Sequence, residues 1–344
     1  MQNEITTPGP LLDENGELAR RGFARRPLMH YNPACVGLTP LAPLNRLRLK
    51  EWDYYGITAP DWFFGVAVSH AGLAGVVFVY FVDFTALTTD EATVLTPLGR
   101  GCRLPHTSTE GDVEFGRAGV EISFRRHPTE RHLKIDWPKL GSGKRLTLDV
   151  VLAQPEHFES IVMATPIGPR RFYHNEKINC LAATGRLRIG DREIIVKPEE
   201  AAATLDWGRG VWAYDTFWNW ANASGRLPDG TPFGLNLGCG FGDLSAATEN
   251  CFFLDGKMHK LGWVDIAYNP SDYLRPWRFV DDAGRLDLTL TPFYDRHDAT
   301  NLGVISSVAH QMFGRYNGRV VTDDGVEIQV RDLVGWAEEV RSRW

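Results

Sequence analysis

The chain has 344 residues, 43% of them hydrophobic and 23% charged, with a net charge of −6. That length predicts two domains or one large β architecture, and the composition excludes disorder as a whole-chain state. The negative balance carries no electrostatic footprint for nucleic acid or an anionic membrane, and no nucleic-acid partner is expected.

Eleven Trp, eighteen Phe and ten Tyr stand beside thirty-four Gly and twenty Pro. Aromatic strands joined by many turns are expected, not long helices. The five cysteines (Cys35, Cys102, Cys180, Cys239, Cys251) are odd in number, widely spaced and without a CxxC pair. Free thiols and a cytoplasmic location follow as expectations. The opening MQNEITTPGP lacks the basic and apolar regions of a signal peptide. The longest apolar run, 72–82 (GLAGVVFVYFV), is too short for a membrane span.

In chain order, residues 1–27 read as an extended arm or lead-in whose Arg20, Arg21, Arg25 and Arg26 form a solvated face, with a binding patch as the alternative. From about Leu44 the pattern is one of hairpins. Residues 186–197 turn at Gly190-Asp191, 250–261 at Asp255-Gly256, 277–290 within 281–284 and 318–330 within 323–325. Gly beside Asp supplies the positive φ of tight hairpins, and the flanks are β-branched or aromatic. Such units in series predict an antiparallel β barrel or sandwich. One helix is expected at the end of the chain, residues 333–344, capped by Asp332, because Leu333, Trp336, Ala337, Val340 and Trp344 fall at helical spacing. A weak repeat relates 62–83 to 217–237, about 154 positions apart. Two β halves meeting near 160–180 and chance similarity of aromatic hairpins both account for it.

Residues 206–212 (DWGRGVW), 217–225 (FWNWANASG), 234–238 (GLNLG), 248–250 (TEN) and 310–318 (HQMFGRYNG), with 48–55 (RLKEWDYY) and 173–185, resemble the DUF2804 family. The resemblance runs from about residue 28 to near the end and brings no agreed activity. More distantly the chain is similar to the AttH, carotenoid 1,2-hydratase and tocopherol cyclase-like group. That likeness implies an all-β fold of two lipocalin-like antiparallel halves, here placed at 28–165 and 166–344. It also implies acid–base chemistry without a cofactor on an apolar substrate, an analogy at the level of fold.

Within 211–222, alternation puts Trp212, Tyr214, Thr216, Trp218 and Trp220 on one face. Such a stripe either binds an apolar ligand, sheltering a cation on its ring faces, or fills a barrel core. Asp206 beside Trp207 is a candidate general acid, because a desolvated carboxyl has a raised pKa; a structural pair with Arg209 across a 208–210 turn is the competing reading. Glu249 and Asn236 border a glycine-lined strand face, where a pocket or a surface salt bridge is expected. His310 is a candidate proton carrier or a structural histidine. Tyr173 and Lys177 share strand parity and either serve a pocket or bridge the halves. The candidate catalytic residues are therefore Asp206, Glu249 and His310; the candidate substrate-binding residues are Tyr173, Lys177, Trp212, Tyr214, Trp218 and Asn236.

No metal and no cofactor is expected. Residues 141–144 (GSGK) lack the first glycine and the Ser/Thr of a phosphate loop, and 238–242 lies in a β pattern without a βαβ unit. HExxH and paired-Cys spacings and a GxSxG elbow are missing from the sequence. Three functions remain: a lyase or isomerase of hydratase, dehydratase or cyclase type acting on a hydrophobic small molecule, a carrier or sensor of an apolar ligand, and a carbohydrate-active enzyme, which would need paired carboxyls in an open cleft.

Overall fold

Strand-forming residues flanked by glycine turns close hairpin after hairpin, and the computed structural model, which describes residues 2–301 and 306–343, assembles them into two large sheets. All four turns anticipated at Gly190, Gly256, Gly284 and Gly325 join antiparallel strands, and each of these glycines has a positive φ. Helix among the described residues is limited to Ala42–Arg46 and the short 3-10 turn Pro33–Cys35.

The first sheet has fourteen strands, with Leu49–Thr58, Ala202–Val211 and Arg171–Ile189 side by side at its middle. It curls on itself, so Val66, Val68 and Val77 share one core with Val113, Phe115 and Phe124. The second sheet has nine strands and places Glu327–Arg343 between Asp215–Arg226 and Ser306–Val321. Its concave side buries Leu235, Phe252, Phe279, Leu288 and Tyr316. Backs of the two sheets meet through an aromatic layer: Tyr54, Phe63 and Tyr80 from the first, Trp220, Phe313 and Trp336 from the second. Phe63 lies 4.8 Å from Phe313 and 5.2 Å from Trp336, in the tilted and edge-to-face packings that ring quadrupoles favour.

Three expectations are corrected. Residues 333–343 are not a helix: they belong to the strand Glu327–Arg343, and Trp344 lies outside the described residues. Asp332 takes a φ of +50° beside a register shift, which restarts the alternation. Beyond it Leu333 and Ala337 enter the second core while Trp336 packs on the first sheet, so burial of both faces imitates helical spacing. Nor does the chain change sheets near 165. The Ile161–Gly168 and Arg171–Ile189 strands form a hairpin within the first sheet, and the crossing comes between Val211 and Asp215.

The arm is the third. Gly9–Pro10 pairs in parallel with Met29–His30, and Gly22–Ala24 pairs with the Ile161–Gly168 strand. Arg25 is no solvated face residue. It reaches Glu4 and Glu159, both at 3.1 Å, and the Met258 carbonyl of the second sheet at 2.7 Å.

Candidate functional site

Strand alternation divides the middle of the first sheet into two chemistries. Leu205 and Trp207 enter the first core, and Arg209 on the same side bonds Asp53 at 3.0 Å and the carbonyls of Trp52, Gly208 and Pro105. Asp206 faces the second sheet instead. Arg209 therefore does not pair with Asp206, and 208–210 is strand, not turn. The glycines there make room: a Cβ on Gly208 would come within 2.0 Å of the Trp52 ring, and one on Gly210 within 2.9 Å of the Trp212 indole nitrogen.

Register then brings the charges together. Lys177 is the direct cross-strand partner of Asp206, which in turn is partnered by Tyr54. The Lys177 ammonium lies 3.4 Å from Asp206 Oδ1 and 3.6 Å from Glu249 Oε2. Its side chain is only 4% exposed, and Nζ sits 3.8 Å from the centre of the Trp220 ring. Trp52 Nε1 donates to Asp206 Oδ2 at 3.2 Å. On the second sheet, Trp220 Nε1 donates to Asn236 Oδ1 at 2.7 Å, and Asn236 Nδ2 donates to the Glu249 carbonyl at 3.0 Å and carboxylate at 3.2 Å. Asn175 Nδ2 reaches the same carboxylate at 3.4 Å. A Cβ on Gly238 would strike Glu249 Oε1 at 2.2 Å, so the glycine face is what lets that side chain lie across the strand.

A third carboxyl completes the group. Glu338, on the strand 327–343, accepts from Trp218 Nε1 at 3.0 Å. Desolvation raises its pKa to about 7, opposed by the Trp218 hydrogen bond and by Lys177. Desolvation likewise raises Asp206 against the pull of Lys177, with Glu249 adding to the rise. Burial works to lower Lys177, but Asp206, Glu249 and Glu338 outweigh it and its pKa is raised. The ammonium therefore stays charged at neutral pH while Glu338 divides between its two forms. Around this polar centre Trp52 stacks on Tyr173 at 5.6 Å, and Phe241 closes on Trp212 at 4.5 Å and on Tyr173 at 5.3 Å. Tyr54 and Tyr80 share a 2.7 Å hydrogen bond that continues to Gln311 at 3.1 Å.

Of the residues singled out in the sequence, Asp206, Glu249, Lys177, Asn236, Tyr173, Trp212 and Trp218 converge here. Tyr214 lies elsewhere: it is half-exposed in the connection between the sheets. His310 is also elsewhere, with Nδ1 2.8 Å from Asp295 and its ring stacked on Tyr273 at 4.1 Å and His297 at 4.3 Å. Its neighbour Gln311 is the one that faces Tyr80. Glu338, Trp52 and Trp220 were missed as site residues. Glu338 sits within the segment read as helix, where period-2 reading would have aligned it with Trp336.

Solved structures with this architecture share little sequence. A putative AttH of Nitrosomonas europaea matches with a TM-score of 0.55 at 14% identity, covering 90% of this chain and 99% of its own. CghA with Sch210972 matches at a TM-score of 0.56 and 12% identity over 86% of this chain and 89% of its own. Kievitone hydratase of Nectria haematococca matches at 0.54 and 10% over 85% and 88%. These likenesses establish the fold, two curled antiparallel sheets of lipocalin-like type. No curated protein matches by sequence. The family described as Domain of unknown function (DUF2804) matches residues 2–344, and the chain belongs to it.

Proposed function

We propose that the protein is a lyase or isomerase of hydratase, dehydratase or cyclase type, acting by acid–base chemistry on an apolar small molecule such as an isoprenoid, a polyketide or an aromatic metabolite. One observation carries this reading. Inside an aromatic cage, one buried ammonium holds Asp206 and Glu249 while a third carboxyl, Glu338, titrates at about 7. Carboxyls whose environments separate their pKa values supply an acid and a base at one pH. A fold shared with a hydratase is consistent with such chemistry.

In the hydration direction, protonated Glu338 gives its proton to one carbon of an alkene or enone. Water adds its oxygen to the other carbon, and Asp206 takes the proton that water loses. Dehydration is the reverse, and isomerisation is proton delivery at one carbon with removal from another. Lys177 opposes the rise that burial imposes on Asp206 and so favours its ionised form. The faces of Trp212 and Trp218 shelter positive charge at the reacting carbon. An acid–base group of this kind contributes roughly 10²–10⁴-fold, and positioning in the cage supplies the rest.

The test is to incubate the protein with a lipid and aromatic metabolite extract, profile the extract by mass spectrometry before and after, and examine the protein by native mass spectrometry. A mass change of one water, or a new isomer at constant mass, lost in Glu338→Gln and Asp206→Asn variants that still fold, is the expected result. A retained apolar ligand in an unchanged extract would replace this reading with a carrier.

A further inference from the structure

Five of the twelve exposed large hydrophobic residues among those described are leucines of three neighbouring segments: Leu41, Leu44, Leu73, Leu95 and Leu98, each 45–63% exposed. The segments touch. Leu98 N donates to the Leu73 carbonyl at 2.8 Å, and a Cβ on Gly72 would strike the Leu47 carbonyl at 2.0 Å. Leu98 holds a φ of +52°, a conformation costly for a bulky side chain, yet a leucine is displayed there where glycine would fit without strain. In residues 36–50, 70–78 and 92–103 the exposed charges are Arg46, Arg48, Arg100 and Arg103, the last paired with Glu114 at 3.2 Å, while Lys50 is buried. In a chain of net charge −6, that local segregation is the opposite of the whole.

We propose that this rim of the first sheet docks on the surface of an anionic lipid bilayer, its leucines in the acyl boundary and its arginines among the headgroups. Exposed leucines beside the exposed Arg46, Arg48 and Arg100 match such a surface in both solubility and charge. The rim also adjoins the candidate site. Strand Leu49–Thr58 leaves it carrying Lys50 and Trp52, and Trp212 follows Val211, the register partner of Leu49. Delivery of an apolar substrate from the bilayer to the cage would follow if the proposed function holds; the docking itself does not depend on it.

The experiment is vesicle flotation of the full chain, with phosphatidylcholine alone and with phosphatidylcholine containing roughly one quarter phosphatidylglycerol. Binding to the anionic vesicles, weakened by salt and several-fold weaker on neutral ones, is expected. Leu73→Ser with Leu98→Ser lowers the partition by about tenfold or more, since full burial of one leucine is worth that much. Arg46→Gln, Arg48→Gln and Arg100→Gln together remove the preference for anionic lipid. The proposal is overturned if the wild type stays unbound with both vesicles or if the leucine variant, folded by circular dichroism, floats like the wild type. It is also overturned if sedimentation without lipid shows a dimer that this variant abolishes, because a second copy would then cover the patch. No turnover is measured, so this result and that of the proposed reaction stand apart.

Discussion

Replacing Lys177 by Met tests whether the ammonium holds the candidate site together. At 3.4 and 3.6 Å, Coulomb attraction at an effective dielectric of about 20 is about 5 kcal/mol for each carboxylate. Much of that offsets the desolvation of the three groups, and removing one partner of a buried ion cluster costs about 3–5 kcal/mol net. Loss of the contact over Trp220 belongs to the same figure. The cost must depend on pH. Without the cation, Asp206, already raised by burial, is raised further above its unfolded value. The native state then binds a proton that the unfolded chain releases, so stability falls as pH rises through that window. Urea unfolding followed by tryptophan fluorescence should show a deficit largest near pH 8 and partly relieved near pH 5, with Asp206→Asn rescuing part of it. A deficit under about 1 kcal/mol, or one flat across this range, would refute the argument that Lys177 neutralises the group.

Other outcomes follow from single contacts. Glu338, raised to about 7, makes wild-type stability decline as pH rises from its unfolded value toward 7 and then level off; Glu338→Gln removes that slope in urea titrations. The same raised pKa predicts that turnover falls as pH rises through about 7, a limb absent if another group is the acid. Gly208→Ala forces the Trp52 ring from its place, costing about 1–3 kcal/mol and lowering turnover through the lost bond to Asp206, both measurable on one variant. Asn179 Nδ2, with two hydrogens to donate, has acceptors on Asn222, Ala223, Ser224 and Leu235 at 2.9–3.2 Å and so ties the two sheets. Asn179→Ala should cost about 2–3 kcal/mol, and a loss under about 0.5 would show that these bonds are replaced by water. His310→Gln, which disturbs the Asp295, Tyr273 and His297 contacts away from the site, should leave the pH profile of turnover unchanged.

The sequence alone determined what is local. Gly190, Gly256, Gly284 and Gly325 mark hairpins because positive φ is a property of one residue and its neighbours, and period-2 alternation separated Trp218 and Trp220 from Asn219 and Ala221. The same alternation placed Tyr173 with Lys177. Recognition of the family rested on these short motifs, and the match over residues 2–344 agrees with it.

What depended on partners far along the chain was decided by the tertiary structure. Lys177 meets Asp206 through the register of two strands, and Glu249 and Glu338 come to them only where two sheets pack back to back. Alternation says which residues share a face; it does not say what the face meets. For that reason Arg209, one face away from Asp206, was weighed as its partner, and His310 was set beside acids that lie on another surface. The C-terminal segment shows the same limit. A strand buried on both faces keeps apolar residues at both parities, its spacing then mimics a helix, and only the pairing of Glu327–Arg343 with the strands on either side separates the two.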